Sequence, residues 1–93
     1  MPSSKEYLDY VLDLLRLLPD IHFKKMMGEY LFYQGDVLFG GIYDNRFLLK
    51  DKPALRELGL KEQIPYPGAK PMLLVDIEDA EAVAGLVRSI VGG

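Results

Sequence analysis

The first eighteen residues carry apolar side chains at helical spacing. Apolar positions recur three and four residues apart between residues 4 and 18. Ser3 and Glu6 have the spacing of a capping box, in which each side chain bonds the other's free backbone amide. Pro19 ends the pattern because it lacks an amide hydrogen and restricts the residue before it. The pattern predicts a helix over residues 4–18. Its predicted solvent-facing side chains include Asp9, Asp13 and Arg16.

The middle of the chain changes to the two-residue period of β-strands. Four short apolar segments follow one another: FKKMM, EYLFYQ, VLFGGIY and RFLLK. Gly28 ends the first, and the pairs Gly35-Asp36 and Asp44-Asn45 separate the others. Such two-residue pairs favour hairpin turns. The region therefore predicts a meander of four antiparallel strands.

The lengths of the hairpin turns fix which side chains share a face of this sheet. A two-residue turn at 35–36 places Phe32 opposite Phe39. One face is then apolar throughout and forms the predicted core: Leu31, Tyr33, Leu38, Ile42, Phe47 and Leu49. The other face is aromatic with a basic, polar margin: Tyr30, Phe32, Gln34, Val37, Phe39, Tyr43, Arg46, Leu48 and Lys50. A bulge at Gly40-Gly41 would exchange part of this assignment.

The last third of the chain predicts a short helix, a strand and a longer helix. The short helix covers residues 52–58, with Pro53 in its first turn and Gly59 at its end. PMLLVDI is typical of a buried strand. Val83, Leu86, Val87 and Ile90 form the inner stripe of the last helix. The prediction is a single α+β domain over residues 1–93. It has two layers: an antiparallel sheet of about five strands, with the N- and C-terminal helices packed on one face.

Composition excludes several classes of site. The 93 residues contain no cysteine, which removes disulfides, thiolate zinc sites and cysteine nucleophiles. The single histidine, His22, has no nucleophile candidate nearby, and the acidic cluster near residue 78 has the spacing of a helix cap and not of a calcium loop. We therefore predict no enzyme activity, no metal and no cofactor. No apolar run approaches the roughly 18 residues that span a bilayer, and no signal-peptide pattern begins the chain, so the predicted location is cytoplasmic.

Charge bears on nucleic-acid binding. The formal net charge of −3 argues against a free-standing nucleic-acid binder, which needs a positive surplus to neutralise phosphates. A local basic strip with interleaved tyrosines nevertheless falls on the predicted sheet: Lys24, Lys25, Tyr30, Tyr43, Arg46 and Lys50. Sheet faces of this kind stack the bases of single strands. The same residues also suit a solvated strand margin. Both interpretations stay open.

The aromatic face predicts an interface. Phe32, Phe39, Val37 and Leu48 together form too much apolar surface to leave in water. Either a second protein or another segment of the chain covers them. A homodimer joined sheet face to sheet face is one candidate.

The stretch PYPGAKP, residues 65–71, also has two interpretations. Its prolines and Gly68 are explained by a rigid turn that leads into the next strand. Tyr66 and Lys70 are not required by such a turn. These two side chains are therefore candidates for contact with a ligand or partner.

Several dispersed motifs resemble the N-terminal domain of the TfoX/Sxy family of competence regulators. The matching stretches are KMMGEY from Lys25, YQGDVLF from Tyr33, RFLLK from Arg46 and YPGAKP from Tyr66, with Met27 where the family usually has phenylalanine. The likeness covers nearly the whole chain. The chain therefore resembles a stand-alone single-domain member of this family. It implies a two-layer α+β fold similar to secretion chaperones. It also implies a role in transcriptional control with a DNA-binding partner such as the cAMP receptor protein, and no catalytic residues.

Overall fold

The computed structural model describes residues 4–92 and has an α+β fold with one six-stranded antiparallel sheet. The helices are α1 (Lys5–Leu14), α2 (Pro53–Arg56) and α3 (Ala80–Val91). The strands are β1 (Ile21–Met26), β2 (Glu29–Gln34), β3 (Val37–Tyr43), β4 (Arg46–Leu49), β5 (Glu62–Gln63) and β6 (Met72–Leu74). Their order across the sheet is β1-β2-β3-β4-β6-β5. The predicted fold class is confirmed.

The core lies between the sheet and the helices. Helices α1 and α3 contact each other, and α3 contacts β3 and α2. The predicted stripe of α3 is buried, as are Leu8, Val11 and Leu14 of α1. Among the residues the structure describes, no helix is long and apolar enough to cross a membrane.

Helix α1 is shorter than predicted. Its N-cap is Ser4, whose hydroxyl oxygen accepts a hydrogen bond from the Tyr7 amide at 3.2 Å. The predicted capping box used Ser3, which lies outside the described residues. The helix ends at Leu14, and the chain continues in turns that still bury Leu15 and Leu18. The apolar pattern therefore extends beyond the end of the helix, because the turns that follow also direct side chains into the core.

The four-stranded meander is confirmed, and each hairpin closes with a two-residue turn. Both residues have positive φ in the turns Met27-Gly28 and Asp44-Asn45, as type I′ hairpin turns require. The sequence analysis missed β5, which has only two residues and pairs with β6 at the edge of the sheet. A strand this short leaves no detectable period in the sequence.

The predicted division of the sheet into two faces is wrong for β2 and for the first half of β3. Tyr33 pairs with Leu38, but a bulge next to this pair shifts the register by one residue. Phe32 therefore pairs with Gly40 instead of Phe39. One inserted residue exchanges the faces of the strand beyond it. Phe32, Phe39 and Tyr30 therefore enter the core, whereas Leu31, Tyr33 and Leu38 do not belong to it. The predicted core positions Ile42, Phe47 and Leu49 are confirmed.

We call the face of the sheet opposite the helices the outer face. Directly paired residues share a face, and alternation along each strand extends the assignment. The outer face carries Lys24, Met26, Glu29, Leu31, Tyr33, Leu38, Tyr43, Arg46 and Leu48. Leu48 is fully buried yet absent from the helix-side core, so its burial comes from this side of the sheet.

Candidate interaction site

Three of the predicted site residues cannot bind a partner because they form the core. Phe32 and Phe39 have no exposed surface, and Tyr30 is 6% exposed. The ring of Phe32 lies 6.2 Å from that of Phe39 and 5.9 Å from that of Phe47, measured between centroids. Their role is packing, and the interface predicted around Phe32 and Phe39 does not exist in that form.

The predicted basic strip is not continuous. Lys24 pairs with Leu31 on the outer face, whereas Lys25 pairs with Tyr30, whose side chain enters the helix-side core. Adjacent residues on a strand point to opposite faces. Lys24 and Lys25 therefore cannot contact the same ligand surface.

Arg46 is an anchor for the segment that leads into PYPGAKP. Its guanidinium donates to the Gln63 side-chain oxygen at 3.0 Å, the Ile64 carbonyl at 3.2 Å and the Pro65 carbonyl at 3.1 Å. Its Nε also donates to the Tyr43 carbonyl at 3.2 Å. This planar fork of donors ties β3 and β4 to residues 63–65. Arg46 therefore holds the proline-rich loop on the outer face and is not a free surface cation.

Replacing Arg46 with lysine is expected to loosen this loop. Lysine cannot reproduce a planar fork that satisfies three carbonyl groups and an amide, so the free energy of unfolding should fall by about 1.5–3 kcal/mol. Amide hydrogen exchange in residues 63–70 should accelerate more than exchange in β2. Arg88→Lys on the exposed surface of α3 is the matched control. Equal effects of the two substitutions would contradict the anchoring role.

The anchored loop brings Tyr66 against Tyr43. Their ring centroids are 6.2 Å apart and their planes are tilted by 45°. Partial burial raises the pKa of the Tyr43 hydroxyl, and Tyr66, Glu29 and Tyr33 act in the same direction. Tyr33, Tyr43 and Tyr66 thus gather on the outer face although they come from three separate parts of the chain.

Two depressions flank this tyrosine cluster. One, of about 560 Å³, is lined by Met26, Met27, Glu29, Leu31, Tyr43 and Tyr66. The other, of about 480 Å³, contains Tyr43, Tyr66, Lys50 and Lys70 among its lining residues, together with Leu38. Four predicted site residues therefore come together: Tyr43, Lys50, Tyr66 and Lys70.

Sequence reasoning missed the apolar members of this site. Leu31, Tyr33 and Leu38 are half-buried residues of the outer face, and Met26 is 44% exposed. With Tyr43 and Tyr66 they form what we call the outer patch. The Gly40-Gly41 pair was the available signal, since adjacent glycines within a strand often accompany a bulge.

Two observations concern the residue types that catalysis and metal binding use. Within residues 4–92 no group of three His, Asp or Glu side chains is placed to hold a metal ion. His22 Nε2 lies 2.7 Å from Asp20 Oδ1, but both side chains are more than half exposed, at 61% and 64%.

Comparisons with known proteins relate the chain to a bacterial protein. No protein-family model matches the chain, and no solved structure matches it. The chain is 34% identical over 92 residues to the "uncharacterized 12.7 kDa protein in trpE 5′ region" of Spirochaeta aurantia. The alignment covers 95% of this chain and 80% of that protein. This chain therefore belongs to the same family as the Spirochaeta aurantia protein.

Proposed function

We propose that the chain is a non-enzymatic interaction module that binds a protein partner through the outer patch. The observation that supports this proposal is the apolar character of a sheet face that none of the helices within residues 4–92 covers. Tyr66 is 59% exposed and Met26 is 44% exposed, beside the half-buried Leu31, Tyr33 and Leu38. A contiguous apolar surface with polar surroundings is typical of a protein-binding site. Tyrosines make up half of the patch, and tyrosine is among the residues enriched at the positions that dominate binding energy at interfaces.

Charges around the patch favour a different protein over a second copy of the chain. Lys24 borders the patch on the β1 side, and Lys50 and Lys70 lie on the β4 side. Glu29 is the carboxylate among the outer-face residues named above, so two copies stacked face to face would bring together two rims in which lysines predominate. A partner with carboxylates around an apolar contact complements the rim instead. A homodimer remains the second candidate, and the experiment below separates the two.

A role in transcriptional control follows from the sequence resemblance. The likeness to the N-terminal domain of the TfoX/Sxy regulators extends the proposal to a partner that itself binds DNA, such as the cAMP receptor protein, in the cytoplasm. On this proposal the partner supplies the DNA contacts. The chain contributes the outer patch.

Direct nucleic-acid binding is the weaker alternative. It was predicted for a strip of Lys24, Lys25, Arg46 and Lys50, but Lys25 lies on the other face from Lys24, and Arg46 is engaged by the loop. The net charge of −3 also opposes binding to the many phosphates of a polynucleotide. We expect Lys24→Gln/Lys25→Gln to leave the fluorescence anisotropy of a labelled single-stranded oligonucleotide, mixed with the protein at low salt, unchanged from wild type.

Affinity capture from cells of the source organism tests the interaction proposal. The bait is wild type, or Leu31→Ser/Leu38→Ser, which removes apolar surface from the outer patch. Losing the burial of even one leucine should weaken binding by about tenfold or more. We expect quantitative mass spectrometry to find a protein that wild type retains and the variant loses.

The matched control is Tyr10→Ser/Leu17→Ser, which removes two exposed apolar side chains on the helix side of the domain. This variant should capture the same protein as wild type. Equal loss with both variants, or capture unaffected by either, would contradict the proposal. Recovery of untagged copies of the same chain alone would assign the patch to a homodimer.

A further inference from the structure

The depression of about 480 Å³ at one side of the outer patch differs from the patch in its charge. We call it the lysine groove; Lys50, Lys52 and Lys70 stand around it, with Asp51 as the acidic member of the lining. Asp51 is engaged by Arg56, whose Nη2 donates to Asp51 Oδ2 at 2.8 Å. That ion pair lowers the pKa of the Asp51 carboxyl. The groove therefore presents three ammonium groups beside a carboxylate that is already paired.

The three lysines are not neutralised by other acids. Within residues 4–92 no carboxylate forms an ion pair with Lys50, Lys52 or Lys70. This concentration of positive charge stands out in a chain whose formal net charge is −3. A site with several unpaired cations attracts anions and forms charge-assisted hydrogen bonds with them.

Between the lysines the lining is apolar and aromatic. It includes Leu38, Tyr43, Pro65, Tyr66, Pro71 and Met72. Tyr66 leaves more than half of its surface exposed. An exposed ring beside proline and leucine side chains provides a stacking surface for a planar group.

The walls of the groove are held in place before any ligand arrives. Arg46 fixes the carbonyls of Ile64 and Pro65, and the Ala69 amide donates to the Tyr66 carbonyl at 3.1 Å across a tight turn. Proline restricts the backbone on both sides of Tyr66. Preformed walls lower the entropic cost of binding.

We propose that the lysine groove binds a small anion with a planar aromatic ring, of the nucleoside phosphate class. The ring would stack on Tyr66, and the phosphates would accept hydrogen bonds from Lys50, Lys52 and Lys70. The volume lies within the range of about 300–1,000 Å³ found for small-molecule sites. This inference is independent of the protein partner, because binding is measured on the chain alone.

Titrations with three probes, followed by NMR of ¹⁵N-labelled protein, test the inference. Adenosine triphosphate carries both ring and charge, tripolyphosphate carries only charge, and adenosine carries only the ring. We expect saturable shifts in residues 50–52 and 66–70 with adenosine triphosphate. Tripolyphosphate and adenosine should each bind at least about tenfold more weakly, since each lacks one set of contacts.

A lysine variant and its control complete the experiment. Lys50→Gln/Lys70→Gln should weaken adenosine triphosphate binding by about tenfold or more, and Lys5→Gln/Lys61→Gln, which changes two exposed lysines outside the groove, should not. Two results would overturn the inference: no saturable shift at about 1 mM of the probe, or equal affinities of the groove and control variants. Equal binding of tripolyphosphate and adenosine triphosphate would also overturn it, because the aromatic ring would then contribute nothing.

Discussion

Replacing Phe32 with alanine is expected to lower the free energy of unfolding by about 3–5 kcal/mol, the usual cost of deleting a buried ring. Phe32 has no exposed surface and packs against the rings of both Phe39 and Phe47. The substitution leaves a cavity that the surrounding sheet cannot fill by relaxing. Urea denaturation followed by circular dichroism measures the loss. Phe32→Leu keeps most of the side-chain volume, so it should lower the free energy of unfolding markedly less. If the alanine variant does not fold, the leucine variant still allows the measurement.

The neighbouring residue provides the matched control. Tyr33 lies on the outer face and is only half-buried, so Tyr33→Ala should cost about 1 kcal/mol. The two substitutions therefore distinguish the structure from an unbulged hairpin, in which Tyr33 would be in the core. A greater loss from Tyr33→Ala than from Phe32→Ala would contradict the face assignment.

Replacing Gly40 with alanine is expected to cost about 3 kcal/mol or more, beyond the usual range for an overpacked core. A Cβ atom at this position would collide with the Leu48 carbonyl oxygen and would lie 3.1 Å from the Leu49 Cα. Both groups belong to the backbone of β4, so no side-chain rotation relieves the contact. The neighbouring strands would have to separate at the bulge. Thermal and urea denaturation both measure this loss.

Gly85 is the matched control for Gly40. It lies on the exposed side of α3, and an added Cβ there would have nothing within 4 Å. Gly85→Ala should therefore raise the free energy of unfolding by about 0.5–1 kcal/mol, since alanine favours the helix. A similar loss from both substitutions would show that the clash at Gly40 is not the cause.

The sequence was sufficient to predict the fold class, the meander and both long helices. Periodic apolar positions and two-residue turn pairs are local signals. They depend on neighbouring residues alone, so they can be identified without knowing how the elements pack. The pairing of β2 with β3 beyond their turn depends instead on a bulge beside Gly40. A bulge adds one residue to one strand, and only the packing of Phe32 and Phe39 under the helices determines where it falls.

The candidate site followed from the sequence only in part. Tyr43, Lys50, Tyr66 and Lys70 were selected from two distant stretches, and the structure brings them together. Arg46 was selected as a binding cation, but it anchors the loop. Besides the nearby Tyr43 carbonyl, its partners are two backbone carbonyls and a side-chain amide more than 15 residues away, and no sequence motif indicates these contacts.

Site-specific photo-cross-linking tests the central claim, that the outer patch binds another protein. A benzophenone amino acid is placed at position 33 on the outer face, or at position 10 on α1, and cells of the source organism are irradiated. We predict a covalent adduct with a different protein from position 33 and none from position 10. An adduct from position 10 alone, or no adduct from position 33, would contradict the account.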